Sequence, residues 1–314
     1  MALRILLTGG LGFIGRYMAW RLAEAGHEIT ILDARTYAAH TDDLTLKGLA
    51  YEGIKVLDQG HIESFLPAIG TEVIINCAAE THVDNSIQDS GVFWRTNVLG
   101  TQHLLEWSRQ QKDRPLFIQI STDEVYGPCV QGSFLPSQPL APVSPYAASK
   151  ASADLAVLSY IKTYGLPARI LRMTNVYGEG QYREKLIPKT LDCLRRGRPI
   201  PIHGAGTSIR HWLWVKDAAD AVLTVLEKGE NGEIYHAGGN TFASVAQVVS
   251  RLVELTKPEY TGSWMELCHW GSERAGMDAR YALEDSDLRI LGWSPRGDFW
   301  RDLPGLVELE EAAK

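Results

Sequence analysis

The chain has 314 residues, enough for one large α/β unit with a smaller lobe attached to it. Its formal net charge is −7 and it contains no long run of Lys or Arg, so neither nucleic acid nor an anionic membrane surface is expected as a partner. The four cysteines form no Cys-x-x-Cys pair, which argues against a zinc site and against a disulfide framework.

The apolar segments of the chain predict its location. The opening residues MALRILLTGG reach a glycine turn too soon for a signal peptide, and no later segment has the length of a membrane span. We therefore expect a cytoplasmic protein with reduced thiols and no metal site.

The first clear structural pattern is a βαβ unit. RILLT (4–8) is a continuous apolar strand pattern, a helical pattern follows over 16–26, and EITILD (28–33) predicts the second strand. Continuous apolar strands of this kind are typical of parallel sheets buried on both faces.

Three glycines between the first strand and the first helix predict a dinucleotide site. Gly9 and Gly12 allow a tight turn and a close approach to a pyrophosphate, while Gly15 lets the helix pack closely on the strand. Asp33 ends the second strand, where a carboxylate can bond the ribose hydroxyls of NAD and would repel a 2′-phosphate. Arg35 is near enough in sequence to keep NADP as an alternative.

Strand and helix patterns continue to alternate along the chain. Further strands are predicted at 53–57, 72–79, 116–122 and 168–173, and further helices at 92–112 and 144–164. This alternation predicts an α/β fold: a Rossmann-like doubly wound parallel sheet in residues 1–173, with a return segment near 212–229. Residues 174–314 are expected to form a smaller C-terminal α/β lobe that binds the substrate.

Ligands of such sheets bind beyond the C-terminal ends of the strands. Asp33, Ala78, Ala79 and the stretch STDE (121–124) all fall at these ends. The adjacent acids of that stretch also suit an ordinary polar turn, and only their place in the sheet favours a functional role.

Tyr146 and Lys150 are four residues apart at the start of a predicted helix, so both lie on one face of it. A buried tyrosine beside a lysine that reaches solvent is the structural alternative. Downstream of a dinucleotide site and of Thr122, the pair instead indicates a catalytic base. Bringing a tyrosine pKa from about 10 to about 7 takes roughly 4 kcal/mol, which Lys150 and an oxidised nicotinamide could supply.

Several longer motifs carry a family resemblance that spans nearly the whole chain. They are TGGLGFIG, AAETHVDNSI, TNVLGTQHLLE, STDEVYG, SPYAASK, NVYGEGQYREKLIP and PIHGAGTSIRHWLWVKD. With them the sequence resembles the extended short-chain dehydrogenase/reductases, and among these the nucleotide-sugar 4,6-dehydratases of the dTDP-glucose type.

The resemblance implies a dehydration in three steps on a nucleotide-activated hexose, of the dTDP- or UDP-glucose type. Tyr146, assisted by Thr122, takes the proton of the 4-hydroxyl while hydride passes from C4 to tightly bound NAD. Glu124 then removes the C5 proton, and Asp123, if protonated, donates to the departing C6 hydroxyl. The hydride then returns to C6 and a proton to C5, which gives a 4-keto-6-deoxy sugar and regenerates NAD.

The resemblance also implies the binding residues. The predicted cofactor contacts are Gly9, Gly12, Phe13, Ile14, Gly15, Asp33, Ala34, Thr36, Asp58, Ala78, Ala79, Thr96, Tyr146 and Lys150. The predicted substrate contacts are Thr122, His82 near the sugar, Glu184 near the ribose, and Asn175, Lys185 and Arg210 at the diphosphate and nucleotide. A homodimer that pairs the helices over 92–112 and 144–164 is expected as well.

Two other functions remain open at this point. A 4-epimerase or a decarboxylase of the same superfamily would need Tyr146 but has no use for both acids. A non-catalytic NAD-binding sensor would not require Thr122, Asp123, Glu124, Tyr146 and Lys150 together.

Overall fold

A computed structural model describes residues 1–40, 54–57, 70–273, 276 and 279–312. A seven-stranded sheet forms the centre of the molecule, in the order β10-β6-β5-β4-β1-β2-β3, and all of its strand pairs are parallel. Its strands are β1 (Arg4–Thr8), β2 (Glu28–Leu32), β3 (Ile54–Leu57), β4 (Val73–Asn76), β5 (Leu116–Thr122), β6 (Ala168–Met173) and β10 (Ile234–Ala237). The predicted doubly wound parallel sheet is confirmed.

The strand order reverses between β1 and β4, which run side by side at the middle of the sheet. Leu6, Leu7, Ile74 and Ile75 at this place are almost fully buried, because helices cover both faces of the sheet. In doubly wound sheets the ligand crevice opens above such a reversal, beyond the carboxyl ends of the two strands.

Helices form a layer on each face. They are α1 (Phe13–Glu24), α2 (Val83–Gln88), α3 (Gly91–Phe93), α4 (Gly100–Gln110), α5 (Pro145–Tyr164) and α7 (Val215–Lys228). Met18 of α1 and Val222 of α7 share one apolar core, and Leu105 of α4 and Val157 of α5 belong to a second. The sheet therefore separates two cores, one on each face.

The segment predicted as one helix over 92–112 is more complex. A π-helical segment, Trp94–Leu99, joins α3 to α4. The first helix also differs from its prediction, since α1 begins at Phe13 directly after the Gly12 N-cap. A helix that starts so close to the glycine turn places its N-terminus at the crevice.

Smaller sheets and helices make up the second lobe. Its strands are β7 (Asn175–Tyr177), β8 (Ile200–His203), β9 (Ile209–Trp214), β11 (Thr241–Ser244) and β12 (Cys268–Gly271), in sheets ordered β11-β9-β7 and β12-β8. Its helices are α6 (Leu186–Arg195), α8 (Val245–Thr256), α9 (Ser286–Ile290) and α10 (Phe299–Ala312). Trp212 stacks on Phe299 with ring centroids 4.8 Å apart, so this tryptophan belongs to the lobe's core.

In the part of the chain that the structure describes, no helix is both long and apolar enough to cross a membrane. The predicted cofactor residue Asp58 lies outside the described residues.

Candidate active site

The glycine turn forms a cradle with no space for side chains. A Cβ on Gly15 would lie 2.1 Å from the Gly9 carbonyl oxygen, and a Cβ on Gly9 would lie 2.7 Å from the Ala78 backbone nitrogen. Gly9 also has φ of +68°, a conformation that side chains rarely adopt. Glycine is therefore required at both positions for this turn to form.

The N-terminus of α1 points at the crevice. Gly12 at the N-cap has no side chain that could cap the helix, and Phe13 and Ile14 open the first turn. The first N–H groups of a helix lack partners within it and favour an anion. The turn and this helix start together fit the pyrophosphate of a dinucleotide.

Asp33 lies at the carboxyl end of β2 and is nearly buried. Its two oxygens accept backbone N–H bonds from Leu11 at 3.0 Å and from Arg35 at 2.7 Å. These bonds fix the carboxylate at the rim of the crevice, and each oxygen keeps a second lone pair for a ribose hydroxyl. Ala34 and Thr36 follow it as exposed residues at the same rim.

The wall opposite α1 comes from the residues after β4. Ala78 contacts the Gly9 turn, and its N–H donates to the Thr8 hydroxyl at 3.2 Å. Ala79 follows Ala78 and is half-buried. Thr96 lies further along the chain, in the π-helical segment after α3. The predicted contacts Ala78 and Ala79 thus line the edge of the sheet that Gly9 faces.

The acid pair forms the turn directly after β5. Asp123 and Glu124 begin a 3-10 helix, Asp123–Tyr126, and Thr122 is its N-cap. The Thr122 hydroxyl accepts the Glu124 N–H at 3.3 Å and donates to Asp123 Oδ1 at 3.1 Å. The turn therefore holds two carboxyl groups side by side at the end of a central strand.

The two acids of this pair have different surroundings. Asp123 is 1% exposed, whereas Glu124 is half-buried. Burial, and then the charge of Glu124, raise the pKa of Asp123 to about 8. Asp123 Oδ2 is buried without a hydrogen-bond partner among the described residues. At neutral pH the pair therefore holds a protonated acid next to a second carboxyl group.

Tyr146 lies at the start of α5, whose N-cap Ser144 accepts the Ala147 N–H at 3.1 Å. Burial, and then the charge of Glu124, raise the pKa of the Tyr146 phenol, while a hydrogen bond with Thr122 lowers it. Thr122 thus links the tyrosine to the acid pair. The protein groups alone do not turn this phenol into a base at neutral pH.

Lys150 is one turn further along α5 and is almost fully buried. Its Nζ donates to the Ile120 carbonyl at 2.6 Å, and burial lowers its pKa. Burial raises the pKa of the Cys77 thiol to about 11, while the charge of Lys150 lowers it and that of Asp33 raises it. Because Lys150 and Asp33 both act on the Cys77 pKa, Lys150 lies on the side of the crevice where the cofactor is expected.

The predicted substrate residues fall into two groups. His82 lies 4.0 Å from Glu184, and Lys185 lies 3.8 Å from Glu184 and donates to the Thr81 carbonyl at 3.1 Å. Tyr37, four residues after Asp33, also hydrogen-bonds Glu184. Burial raises the pKa of the Tyr37 phenol, and the charge of Glu184 and this hydrogen bond raise it as well. The first group therefore joins the cofactor rim to the second lobe.

Asn175 and Arg210 make up the second group. Arg210 lies over the Tyr281 ring at 4.8 Å, and its charge lowers the pKa of Asp123, so it reaches toward the acid pair. Asn175 Oδ1 is buried with no partner in the described part of the chain. The cation near the acids and the amide oxygen of Asn175, at the start of β7, suit an anionic, polar substrate.

Buried polar residues that the sequence patterns did not single out support this site. Asn97 accepts the Glu80 N–H at 2.9 Å and donates to the Glu80 carbonyl at 3.0 Å, which fixes the segment between Ala79 and His82. Asn76 accepts a bond from Thr8 at 2.7 Å across the two central strands. The only available signal was an amide inside an otherwise apolar pattern.

Comparisons with known proteins agree with this geometry. A model of the NAD dependent epimerase/dehydratase family matches residues 5–238. The low-salt glycan biosynthesis protein Agl12 of Haloferax volcanii is 37% identical over 97% of this chain and 97% of its own. The structure of the dTDP-glucose 4,6-dehydratase DesIV of Streptomyces venezuelae, with NAD bound, has a TM-score of 0.90 and 35% identity, over 99% of this chain and 97% of that one. The structure of a UDP-glucose 4-epimerase of Thermotoga maritima, with UDP-glucose bound, has a TM-score of 0.86 and 26% identity. The match covers 99% of this chain and 100% of that one.

Proposed function

Because the chain belongs to the NAD dependent epimerase/dehydratase family, we propose that it is a nucleotide-sugar 4,6-dehydratase. It removes water from C5 and C6 of a nucleotide-activated hexose and yields the 4-keto-6-deoxy sugar. One observation carries the proposal: a buried acid with a pKa of about 8 lies directly beside a second, less buried carboxyl group.

An elimination needs an acid and a base at neighbouring carbons. Asp123 is protonated at neutral pH, so it can donate to the departing C6 hydroxyl. Glu124 is less buried and takes the proton from C5. Adjacent residues of one short turn can address adjacent atoms of one sugar.

Tyr146, with Thr122, takes the proton of the 4-hydroxyl. Bound NAD would supply the acceptor for the C4 hydride, the donor that returns it to C6, and a positive charge near the phenol. Such a charge favours the phenolate and opposes the effects of burial and Glu124. Lys150 orients the site through its bond to the end of β5.

The substrate's diphosphate would bind to the cations of the second lobe. Arg210 and Lys185 supply the charge, and the guanidinium of Arg210 can hold phosphate oxygens bidentately. In this proposal Asn175, His82 and Glu184 bind the rest of the nucleotide sugar. Residues 1–173, completed by α7 and β10 of the large sheet, then carry the cofactor, and the rest of residues 174–314 forms the lobe that binds the nucleotide sugar. The dehydratase DesIV gives dTDP-glucose as the first substrate to try.

The direct test is to incubate the purified protein with dTDP-glucose and with UDP-glucose in separate reactions. We expect one of them to give a product that has lost one water by mass and absorbs in the ultraviolet after addition of base. A product of unchanged mass would contradict dehydration.

A 4-epimerase is the second candidate, because the UDP-glucose 4-epimerase of Thermotoga maritima shares the fold. The product of that reaction keeps its C6 hydroxyl and its mass. The acid pair argues against this candidate, since epimerisation at C4 has no step that uses both carboxyl groups.

We also propose a homodimer, formed by α4, α5 and the residues around them. Large apolar side chains on these elements are exposed: Trp94 is 41% exposed, Leu99 50% and Leu155 56%. An interface would bury them. Light scattering after gel filtration measures the oligomeric state. Leu155→Glu is expected to give monomers, and a monomeric wild-type protein would contradict the proposal. The cytoplasmic location stays a prediction of the sequence.

A further inference from the structure

A buried polar network lies behind the acid pair, on the side away from the crevice. The carboxylate of Asp154, on α5, accepts from Arg172 Nε at 2.9 Å and from the Ser121 hydroxyl at 2.9 Å. Asp154 and Arg172 are at most 1% exposed. Ser121 is the residue before Thr122, so this ion pair holds the end of the strand that carries the acids.

The network continues to the other end of the acid turn. Arg172 donates to the hydroxyl of Tyr126, the last residue of the 3-10 helix, and lies over its ring at 4.8 Å. Tyr126 also bonds His236 Nε2 at 2.7 Å. His236 Nδ1 lies 2.9 Å from the Glu284 carbonyl, which can only accept, so Nδ1 donates and Nε2 accepts the tyrosine proton.

The state of His236 agrees with this assignment. Burial, together with the charge of Arg172, lowers its pKa to about 3, against two backbone hydrogen bonds that raise it. The neutral ring therefore has one donor and one acceptor nitrogen at neutral pH. The Tyr126 hydroxyl therefore donates its proton to His236 Nε2 and accepts a hydrogen bond from the Arg172 guanidinium.

The turn with the two acids is thus tied at both of its ends. Ser121 precedes it and is tied to Asp154, while Tyr126 closes it and is tied to Arg172 and His236. The bonds reach α5, β6 and β10, which are separate elements of the large sheet and its helix layer. Buried networks in which most polar groups are bonded favour one conformation, and here Asp154 Oδ1 is the network atom without a partner among the described residues.

We propose that this network positions the acid pair for elimination, and that Tyr126 and Ser121 are its positioning residues. The proposal rests on the proposed dehydratase function and deepens it. The reason is geometric: the two acids must face C5 and C6 at once, and a displacement of about 1 Å can cost on the order of 10²-fold in rate. Tyr146 is positioned by α5 and meets this turn at Thr122, whereas both acids belong to the turn itself, so oxidation at C4 depends less on the turn than elimination does.

The test measures two chemical steps, oxidation at C4 and proton removal at C5, separately in the variant Tyr126→Phe. This variant keeps the ring that Arg172 covers and removes only the hydroxyl. We expect reduced nicotinamide to form at a rate within about 3-fold of wild type, while uptake of solvent deuterium at C5 slows by on the order of 10-fold or more. Substrate KM should change little, because no residue proposed to bind the nucleotide has changed.

Ser121→Ala is the second variant and should show the same selective loss. It provides the test if Tyr126→Phe does not fold, since it removes a single bond from the opposite end of the turn. The matched controls are Tyr235→Phe and Ser108→Ala. The Tyr235 hydroxyl accepts the Glu230 N–H at 2.9 Å, and the Ser108 hydroxyl donates to the Leu104 carbonyl at 2.7 Å. Neither bond involves a residue of the acid turn. These controls should leave both steps unchanged.

The outcomes distinguish the two proposals. If the wild-type protein dehydrates neither sugar nucleotide, the proposed function fails. If it dehydrates one of them and both variants slow the two steps equally, or slow neither, the positioning role is wrong and the function stands. A loss confined to deuterium uptake at C5 supports the network's role.

Discussion

The end of β5 separates two buried polar regions that are built differently. On the crevice side, Asp123 Oδ2, Asn175 Oδ1 and His82 Nδ1 have no partners among the described residues. On the opposite side, Arg172, Tyr126 and His236 are bonded to one another and to the backbone. Within the same described ranges, Asp154 Oδ1 lacks a partner there, and so does Nε2 of Gln119, two residues before Ser121 on β5.

Unmet hydrogen-bonding capacity costs stability, so its location is informative. A buried polar atom without a partner costs about 1–3 kcal/mol, and a folded chain tolerates few of them. The crevice side accepts this cost where a polar ligand can supply the missing partners. In the network on the opposite side this cost falls on Asp154 Oδ1, while the bonds of Arg172, Tyr126 and His236 hold the end of the acid turn. The following predictions test this division.

The largest effect is expected for Glu124→Gln. The amide cannot remove the C5 proton, so dehydration should fall by about 10²-fold to 10⁴-fold. Reduced nicotinamide should still form on addition of substrate, because Tyr146 is intact. The variant should remain folded, since Glu124 is half-buried. Stopped-flow absorbance together with product mass measures both steps.

Glu254→Gln is the control for this change. Glu254 is an exposed acid on α8 that pairs with Arg251 at 2.9 Å, outside the crevice. Its variant should dehydrate at the wild-type rate. Normal dehydration by Glu124→Gln would show that another group removes the C5 proton.

The second prediction concerns the pH dependence of stability. Asp123 has a pKa of about 8 in the folded protein and an ordinary value of 3.8 when exposed. Between these values the folded state keeps a proton that the unfolded state loses, so the free energy of unfolding falls as pH rises. The slope from this group is about 1.4 kcal/mol per pH unit.

Asp123→Asn removes that slope. Relative to wild type, the variant should gain stability steadily from pH 4 to pH 8, measured by urea unfolding at several pH values. Glu124→Gln should give a smaller change in the same window, because the Glu124 charge is the second cause of the raised pKa. A stability difference that does not vary with pH would mean that Asp123 is already ionised in the folded protein.

The sequence predicted the crevice side far better than the network behind it. β5 and β6 have the predicted bounds, since apolar runs buried on both faces are strong local signals. The glycine turn follows β1 directly, Asp33 follows β2, and the acid turn follows β5. Their place at the sheet edge could therefore be read from the strand ends.

The network could not be predicted because its bonds join distant parts of the chain. Tyr126 and His236 are 110 residues apart, and His236 lies on β10, a short strand that the sequence pattern did not reveal. The π-helical segment that places Asn97 was equally hidden, because its apolar spacing looks like that of an ordinary helix. Pairing across the fold, rather than local propensity, decides both.

The third prediction tests the cofactor side of the crevice through Gly15→Ala. The added Cβ would meet the Gly9 carbonyl oxygen at 2.1 Å, so the turn must move away from α1. We expect a loss of about 1–3 kcal/mol in unfolding free energy and weaker NAD binding, measured by thermal unfolding and calorimetry. Gly305→Ala is the control, because its Cβ meets no atom within 4 Å and its helical site favours alanine. Equal NAD affinity in Gly15→Ala and wild type would exclude the cradle.

The smallest effect is expected at the cap of the helix that carries Tyr146. Ser144→Ala removes the acceptor for the Ala147 N–H at 3.1 Å, which should cost about 1 kcal/mol of stability. Ser244→Ala removes the corresponding cap of α8, at 3.2 Å, and should cost a similar amount. Only Ser144→Ala should also slow formation of reduced nicotinamide, because fraying of the first turn of α5 moves Tyr146 and leaves the acid turn in place. If both cap variants keep the wild-type rate, Tyr146 is held by its contact with Thr122 rather than by its own helix.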